Sequence, residues 1–253
     1  MTNKLKYFVG NWKMFGNLNS FRIIRQIDAF CKKHSKYQKN YKVILCVPTT
    51  LIYFFSTKIK SKMLSLGGQN CHENNTFGPF TGSLTAGMLK NAGAKYIILG
   101  HSENRNQGET NFEIKKKIES AIKEKLNIIF CIGETKEEKK NGKTFSVLKK
   151  QLIDSISKTK KISKIIIAYE PRWSIGTGII PKTTELTKIF TFIKHELKKN
   201  FKSNKSNLIL YGGSVNDRNI NIFSTINELD GFLIGAASQS SKKFIDIIKN
   251  YYK

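Results

Sequence analysis

Residues 164–178 read KIIIAYEPRWSIGTG, and this stretch joins an apolar run to a polar end. The isoleucines at 165–167 are typical of a strand that is covered on both faces. Glu170 follows the run, and Pro171 stops the regular structure behind it. Residues 171–178, called the lid below, end in Gly-Thr-Gly, which supplies backbone hinges. Taken alone, the stretch fits an ordinary strand-to-helix turn with a surface Glu slightly better than a catalytic acid or base beside a mobile loop, so the rest of the chain must decide.

Eight apolar runs of this kind occur along the chain, and each ends in a glycine or a polar cluster. Most are continuously apolar rather than alternating, which is typical of strands in a parallel sheet that is covered on both faces. The runs begin at Tyr7, Lys42, Leu64, Tyr96, Asn127, Lys164, Asn207 and Gly231.

Segments with helical periodicity separate most of these runs. The first has Asn19 or Ser20 as its predicted N-cap, and the connection after the seventh run predicts only a short helix. The apolar stripes are Ile23, Ile24, Ile27 and Phe30; Ile114, Ile118, Ala121 and Ile122; Val147, Leu148, Leu152 and Ile156; Ile189, Phe192, Ile193 and Leu197; and Ile220, Ile222 and Phe223.

The alternation of strand and helix predicts an α/β fold with parallel pairing and right-handed crossovers. Eight strand–helix units in 253 residues fit a single (β/α)8 barrel, the TIM barrel, better than an open sheet. Since no linker rich in Pro, Gly or Ser divides the chain, we expect one domain over residues 1–253.

The net charge of +26 raises the question of a polyanionic partner. Such a charge is found in nucleic-acid-binding proteins, because each Lys or Arg that meets a phosphate releases counterions. However, only five of the basic residues are arginine, the better residue for bidentate recognition, and the lysines are dispersed over the predicted helices. We expect no specific nucleic-acid partner, and a basic polyanion-binding protein on a retained barrel scaffold remains the alternative.

The cysteines, the apolar runs and the amino terminus indicate the cellular compartment of the protein. The four cysteines show no CxxC spacing and lie mostly in or beside apolar runs, so they predict small core residues rather than disulfides. No run approaches the roughly 20 apolar residues that span a bilayer. The amino terminus lacks the pattern of a secretory signal. We therefore expect a cytoplasmic protein with no membrane partner.

Polar residues of different chemistry follow several of the predicted strands. In a (β/α)8 barrel the active groups lie at the carboxyl ends of the strands, and Asn11, Lys13, His101, Glu170 and Ser214 all fall there. Each has an ordinary structural alternative when taken alone. Together they predict an active site on one rim of the barrel.

Glycine-bearing loops on the same rim predict a phosphate site. Gly-Gly-Ser ends the seventh run at Ser214, and Gly235 with Ala236 ends the eighth, where such barrels often bind phosphate. Gly176 in the lid could add a further N–H donor.

The histidines are scattered without metal-ligand spacing, and no GxGxxG or Walker sequence is present, so we expect no metal and no cofactor. Without a metal or a cofactor, the chemistry that these residues can perform is acid–base catalysis on a small phosphorylated molecule. Glu170 is the candidate base, and His101 is the candidate electrophile or acid.

Seven motifs, at seven of the eight runs, closely resemble the triosephosphate isomerase family. They are GNWKM at 10–14, GQN at 68–70, LGHSE at 99–103, CIGET at 131–135, AYEPRWSIGTG at 168–178, YGGSV at 211–215 and DGFLIGAAS at 230–238. The resemblance implies a barrel enzyme that works without a cofactor, through an acid and a base whose proton affinities are tuned by their surroundings. Another phosphate-binding barrel enzyme, such as an epimerase, is less favoured because it lacks this set.

The resemblance implies that dihydroxyacetone phosphate and glyceraldehyde 3-phosphate interconvert through an enediolate. Glu170 would move the proton between C1 and C2, and His101 would act as a neutral electrophile on the substrate oxygens. Lys13 would supply positive charge, and Asn11 would supply a hydrogen bond. The main-chain groups that would hold the phosphate are those of Gly176, Ser214, Gly235 and Ala236.

Supporting roles also come from the resemblance. Trp173 and Glu134 would tether the lid, and Tyr211 would contact the lid when it is closed. Ile175 with Leu233 would clamp the catalytic carboxylate and exclude water. Glu103 resembles the family's buried carboxylate beside the lysine, with a helix N-terminal cap as the alternative.

Two departures from the family pattern lie in the lid: Arg172 replaces a usual aliphatic residue, and Ser174 replaces a usual alanine. Ala236 replaces a frequent glycine but keeps its N–H.

The resemblance also implies a homodimer in which Thr81, at a loop tip, lies beside the partner's Asn11 and Lys13. Asn104 and Ser83 stand where the family often has an Arg and a Glu that meet across the interface. The dimer would therefore lack this ion pair and be held together by other contacts.

Overall fold

The computed structural model describes residues 4–34, 40–156, 162–201 and 207–253. Its eight strands are all parallel and pair in sequence order, and the first also pairs with the eighth, so the sheet closes into a barrel. The predicted (β/α)8 fold is confirmed. The strands are β1 Lys6–Asn11, β2 Tyr41–Cys46, β3 Leu64–Gly68, β4 Tyr96–Leu99, β5 Asn127–Ile132, β6 Ile165–Tyr169, β7 Ile209–Tyr211 and β8 Gly231–Ile234.

In the described ranges, α-helices follow every strand except β7, whose connection contains the 3-10 helix Ile220–Thr225 instead. The seventh connection is thus short, as its weak periodicity predicts. The α-helices in these ranges are α1 Phe21–His34, α2 Thr49–Ser56, α3 Ala86–Asn91, α4 Ser102–Asn106, α5 Asn111–Lys123, α6 Lys136–Lys140, α7 Thr144–Ser155, α8 Thr183–Phe201 and α9 Ser241–Tyr251.

The core has two layers, which explains the continuously apolar strands. Val9 and Ile44 point into the barrel and join a small interior cluster. Their neighbours Phe8 and Leu45 point outward and join the larger cluster between the strands and the helices. Because successive side chains of a strand face opposite sides, both sets must be apolar when both sides are covered.

The start of the first helical segment differs from the prediction. A 3-10 turn, Leu18–Ser20, precedes α1, and Asn17 is its N-cap in a capping box with Ser20. Asn19 and Ser20 therefore lie inside the turn, and the expectation that one of them caps the segment is wrong. The chain tightens its first turn, which moves the cap towards the amino terminus.

The parallel barrel brings the carboxyl ends of its strands to one rim. Asn11 is the last residue of β1, and His101 and Glu170 follow β4 and β6 within two residues. No helix of the described part is long and apolar enough to cross a membrane.

Candidate active site

The rim encloses a cavity of about 290 Å³. The structure brings together there all four residues expected to be catalytic and all four expected to hold phosphate, with the two expected clamp residues. The residues from that set that line the cavity are Asn11, Lys13, His101, Glu170, Ile175, Gly176, Ser214, Leu233, Gly235 and Ala236.

Glu170 and His101 form a buried pair on the cavity wall. The side chains are 4% and 7% exposed, and Glu170 Oε1 lies 3.3 Å from His101 Nε2. The other carboxylate oxygen of Glu170 accepts a long hydrogen bond of 3.4 Å from the Ser102 N–H at the start of α4. A carboxylate and an imidazole thus meet in a site with little exposure to solvent.

The backbone decides which nitrogen of His101 carries its proton. His101 is the N-cap of α4, and its Nδ1 accepts a hydrogen bond of 3.2 Å from the Glu103 N–H. An accepting nitrogen carries no proton, so the neutral ring has its proton on Nε2, which faces Glu170. The ring can therefore donate a hydrogen bond from Nε2.

Lys13 reaches the cavity from a left-handed backbone conformation, with φ of 55°. Its N–H donates to the Asn11 side chain at 3.0 Å, and its carbonyl accepts from Gln69 Nε2 at 3.0 Å. These bonds hold a conformation that non-glycine residues rarely adopt. Its ammonium forms an ion pair of 2.6 Å with Glu103.

Glu103 corrects one expectation. Its side chain is 53% exposed in the single chain, so the carboxylate beside the lysine is not buried there. It is also not the cap of α4, because His101 takes that position. Glu103 lies in the first turn, where its charge faces the amino end of the helix.

Two glycines from neighbouring strand ends pack against Glu170. A Cβ atom on Gly133, after β5, would lie 1.8 Å from the Glu170 carbonyl oxygen. A Cβ atom on Gly212, after β7, would lie 2.7 Å from Glu170 Cγ. Both positions require glycine because the backbone or side chain of Glu170 already fills the space.

The loops after β7 and β8 line the same cavity as the lid. Ser214 and Gly235 lie on these loops, and Gly176 in the lid has a positive φ of 72°. The arrangement brings residues of three separate loops to the lining of one cavity, a placement that is compatible with an anion site.

The lid is fastened at its first residues. Trp173 Nε1 donates to Glu134 Oε1 at 2.8 Å, and the Tyr169 hydroxyl bonds both oxygens of the same carboxylate. Arg172 bonds Asn106 at the end of α4. Burial raises the pKa of Glu134, while its hydrogen bonds from Trp173, the backbone and Tyr169 oppose that rise.

The middle of the lid meets the end of β7. The Tyr211 hydroxyl lies 3.1 Å from Ser174 Oγ. Burial raises the pKa of Tyr211 to about 12, so its hydroxyl stays protonated at neutral pH. Tyr211 thus contacts the lid, which is the partner expected for it.

Thr81 is exposed on the loop between β3 and α3 and does not line the cavity of its own chain. Within the described ranges, no cluster of three or more His, Cys, Asp or Glu side chains could hold a metal ion. The cysteines, Cys31, Cys46, Cys71 and Cys131, are free and buried.

Sequence reasoning missed two contributors at the rim. Gln69 bonds the carbonyls of Lys13 and Cys46, and Ser102 donates its N–H to Glu170. Gln69 had a usable signal in the sequence, because it is an amide side chain directly after β3. The same rule, that active groups follow the carboxyl ends of strands, selects Asn11. The role of Ser102 depends on its backbone alone and leaves no signal in the residue type.

The closed barrel with a buried carboxylate and imidazole on its carboxyl rim is typical of one class of protein, the (β/α)8-barrel enzymes. A profile of the triosephosphate isomerase family matches residues 6–251. The chain belongs to the triosephosphate isomerase family and is therefore an isomerase.

Similar proteins cover almost the whole chain. A triosephosphate isomerase from Bartonella quintana is 38% identical over 250 residues, covering 98% of this chain and 97% of the relative. One from Yarrowia lipolytica is 38% identical over 248 residues, covering 96% and 98%. The crystal structure of triosephosphate isomerase from Bartonella henselae has a TM-score of 0.88 and 34% identity, covering 98% of this chain and 99% of that chain.

Proposed function

We propose that this protein interconverts dihydroxyacetone phosphate and D-glyceraldehyde 3-phosphate through an enediolate. The observation that carries the proposal is the buried pair of Glu170 and His101, 3.3 Å apart on the wall of a cavity that also contains the glycine-bearing loops. The family match gives no support to the alternative of a polyanion-binding protein on a barrel scaffold.

Glu170 acts as the base. Its carboxylate removes a proton from C1 of dihydroxyacetone phosphate, and the electrons of that C–H bond form the C1–C2 double bond. The negative charge develops on the carbonyl oxygen, where the Nε2–H of neutral His101 donates a hydrogen bond. Proton exchange between the two oxygens followed by return of the proton from Glu170 to C2 gives the aldehyde, so no cofactor is needed.

Lys13 and Asn11 support the charge in this scheme. The Lys13 ammonium lines the cavity and offsets the charge of the phosphorylated substrate and of the enediolate. Asn11 is buried, with 5% exposure, and its side chain accepts the Lys13 N–H, so it orients Lys13 and offers its amide to the substrate. Glu103 holds the ammonium until substrate arrives.

The phosphate occupies the opposite end of the cavity. The N–H groups of Gly176, Ser214, Gly235 and Ala236 bind its oxygens, and the small residues permit the close approach. When Gly176 contacts the phosphate, Ile175 and Leu233 shield Glu170 from water. The hydrogen bond between Trp173 and Glu134 fixes the start of the lid. Exclusion of water protects the enediolate from loss of phosphate.

A coupled assay tests the function directly. The purified protein is given D-glyceraldehyde 3-phosphate, and dihydroxyacetone phosphate is followed through its reduction by a coupling dehydrogenase. We expect turnover without added metal in the presence of a chelator. No turnover by the folded protein would contradict the proposal.

We also propose that the chain works as a homodimer. Met14 is fully exposed next to Lys13, and Phe77 is 88% exposed on the loop that carries Thr81. Large apolar side chains at this exposure favour a covered surface, and a partner that covers Met14 reaches the catalytic rim. Thr81 of a second copy would fill this place, although Asn104 and Ser83 cannot form an ion pair.

Light scattering across a dilution series tests the dimer. We expect Phe77→Glu to shift the protein towards monomer and to reduce activity at low concentration. Ile222→Glu is the matched control, since Ile222 is 49% exposed on the 3-10 helix after β7, a different connection of the barrel. A monomer that keeps full activity would overturn the role of Thr81.

We propose the cytoplasm as the compartment of this protein. The four cysteines are free and buried, which suits a reducing environment in which thiols persist without pairing. Fractionation of the source cells followed by the isomerase assay measures the location.

A further inference from the structure

Ser174 is a fully buried polar residue in the middle of the lid. Its exposed fraction is 0%, whereas residues 176–179 that follow it are exposed. Buried hydroxyl groups are almost always hydrogen-bonded, because an unsatisfied one loses its bonds to water without compensation. The partners of this hydroxyl therefore indicate what it does.

The hydroxyl of Ser174 has three partners from three places. It donates to the carbonyl oxygen of Ile179, just after the lid, at 2.6 Å. Since a serine has a single hydroxyl proton, the Tyr211 hydroxyl at 3.1 Å donates to Ser174. The Ser214 N–H also donates to Ser174 Oγ, over a long distance of 3.4 Å.

Neighbouring residues leave room for these bonds. A Cβ atom on Gly213 would lie 2.2 Å from the Tyr211 hydroxyl oxygen and 2.7 Å from Ser174 Oγ, so a larger residue there would separate the pair. Thr177 adds support, since its hydroxyl donates to the Ser174 carbonyl at 3.1 Å. An alanine at position 174 could make none of the three hydroxyl contacts.

We propose that Ser174 is a positioning residue that latches the lid to Tyr211 and exchanges the Ser214 N–H with the substrate phosphate. This inference rests on the proposed function, because it takes Ser214 as a phosphate donor. Without substrate, the hydroxyl ties the middle of the lid to Tyr211 and to Ile179, just after the lid, and it occupies the Ser214 N–H. In this position Ile175 and Glu170 line the same cavity before substrate arrives.

The relative strength of the bonds permits the exchange. The bond from Ser214 is at the long limit for an N–H···O bond, and a charged phosphate oxygen is the stronger acceptor. The two shorter bonds, to Ile179 and from Tyr211, do not compete with the phosphate and persist when it binds. These two bonds hold the lid in place before the phosphate arrives, so in Ser174→Ala the binding of phosphate must itself order the lid, and this cost exceeds the gain from the freed Ser214 N–H.

The experiment compares wild type with Ser174→Ala. Amide hydrogen exchange of the substrate-free protein is measured for the peptide that contains the lid, and we expect about tenfold faster exchange in the variant, since three hydrogen bonds of the hydroxyl, two of them short, are lost. The affinity for 2-phosphoglycolate is expected to fall about tenfold, and KM to rise similarly, while kcat changes by less than about threefold.

Tyr211→Phe breaks the same contact from the other side and keeps the test valid if Ser174→Ala fails to fold. In the double variant, we expect amide hydrogen exchange in the lid to be no faster than in Ser174→Ala alone, because the bond between the two hydroxyl groups is already absent. Ser155→Ala is the matched control: this serine is also fully buried, but its hydroxyl has no partner within the described ranges. It should leave lid exchange and KM unchanged.

Unchanged lid exchange in Ser174→Ala, or additive effects of the two substitutions, would overturn the latch. A fall in melting temperature with equal exchange increases throughout the barrel would also overturn it, since that pattern marks a merely structural residue. Absence of turnover in wild type would overturn the proposed function instead. The exchange measurement and the coupling to Tyr211 require no turnover, so the two failures are distinguishable.

Discussion

The two ends of the barrel carry the same types of charged residue in opposite arrangements. At the amino end, Asp230 is 1% exposed, accepts the Ile209 N–H at 2.8 Å and pairs with Lys4 and Lys194. Lys6 is buried beside it and donates to the Leu229 carbonyl at 2.5 Å. The polar groups at this end are directed at one another and at the backbone.

At the carboxyl end, the charged groups border a cavity. Lys13 pairs with Glu103, but both side chains keep substantial exposure, at 30% and 53%. Glu170 and His101 contact each other and also face the same open space. The difference teaches that lysines and carboxylates at the amino end satisfy one another inside the protein, whereas at the carboxyl end the same residue types border an open cavity.

The largest effect is expected at the carboxyl end. Glu170→Asp withdraws the carboxylate by about one C–C bond, and a misplacement of about 1 Å costs roughly 100-fold in rate. We expect kcat to fall by at least about that factor, with a small change in KM and in the free energy of unfolding. Steady-state kinetics and urea unfolding measure the two quantities.

Glu196→Asp is the matched control for this variant. Glu196 is 5% exposed on α8, so the same shortening is made at a buried glutamate away from the rim. It should leave kcat unchanged. Turnover of Glu170→Asp at the wild-type rate would contradict the assignment of Glu170 as the base.

The second largest effect is expected at the amino end, where a substitution should lower stability and leave turnover unchanged. Asp230→Asn leaves the cations around it without a carboxylate, and removal of one partner from a buried pair costs about 3 kcal/mol. We expect the free energy of unfolding to fall by about that amount at a fixed protein concentration. The kcat/KM of the folded protein should stay the same.

Asp246→Asn sharpens this comparison. Asp246 pairs with Lys242 on the surface of α9, where the lysine side chain is 87% exposed, so its loss should change stability by less than about 0.5 kcal/mol. Equal stability changes for the two aspartates, or a loss of kcat/KM in Asp230→Asn, would break the distinction between the two ends.

The smallest effect is expected at the start of the lid. Arg172→Ala removes the bond to Asn106, and a hydrogen bond of this kind contributes about 1 kcal/mol. Because Trp173 still holds Glu134, we expect kcat to change by less than about fivefold. Arg25→Ala serves as the control on α1. A change above tenfold would show that Arg172 acts on the substrate rather than on the lid.

The fold was predictable because barrel strands are covered on both sides. A continuous apolar run such as residues 165–167 therefore identifies a strand directly. The helix after β2 was not assigned from sequence. Its residues, TTLIYFFS, include β-branched and aromatic types that do not favour a helix, and burial of Leu51, Ile52 and Phe55 against the barrel decides the structure instead.

The candidate site was predictable as a set of positions but not as a set of contacts. The rule that places active groups at strand ends selects Asn11, His101 and Glu170. It says nothing of the bond between Ser174 and Tyr211, which depends on the path of the lid. It also misses the exposure of Glu103, because the direction of an ion pair depends on the backbone conformation of Lys13.

The glycines that pack against Glu170 have a consequence for selection. Neither Gly133 nor Gly212 offers a side chain for chemistry, yet any side chain there would collide with Glu170. A complete mutational scan under selection for isomerase activity should find these two positions as intolerant as Glu170 itself. Such a scan would measure the constraint that the space filled by Glu170 places on its neighbours, separately from any constraint that the reaction places on Glu170 itself.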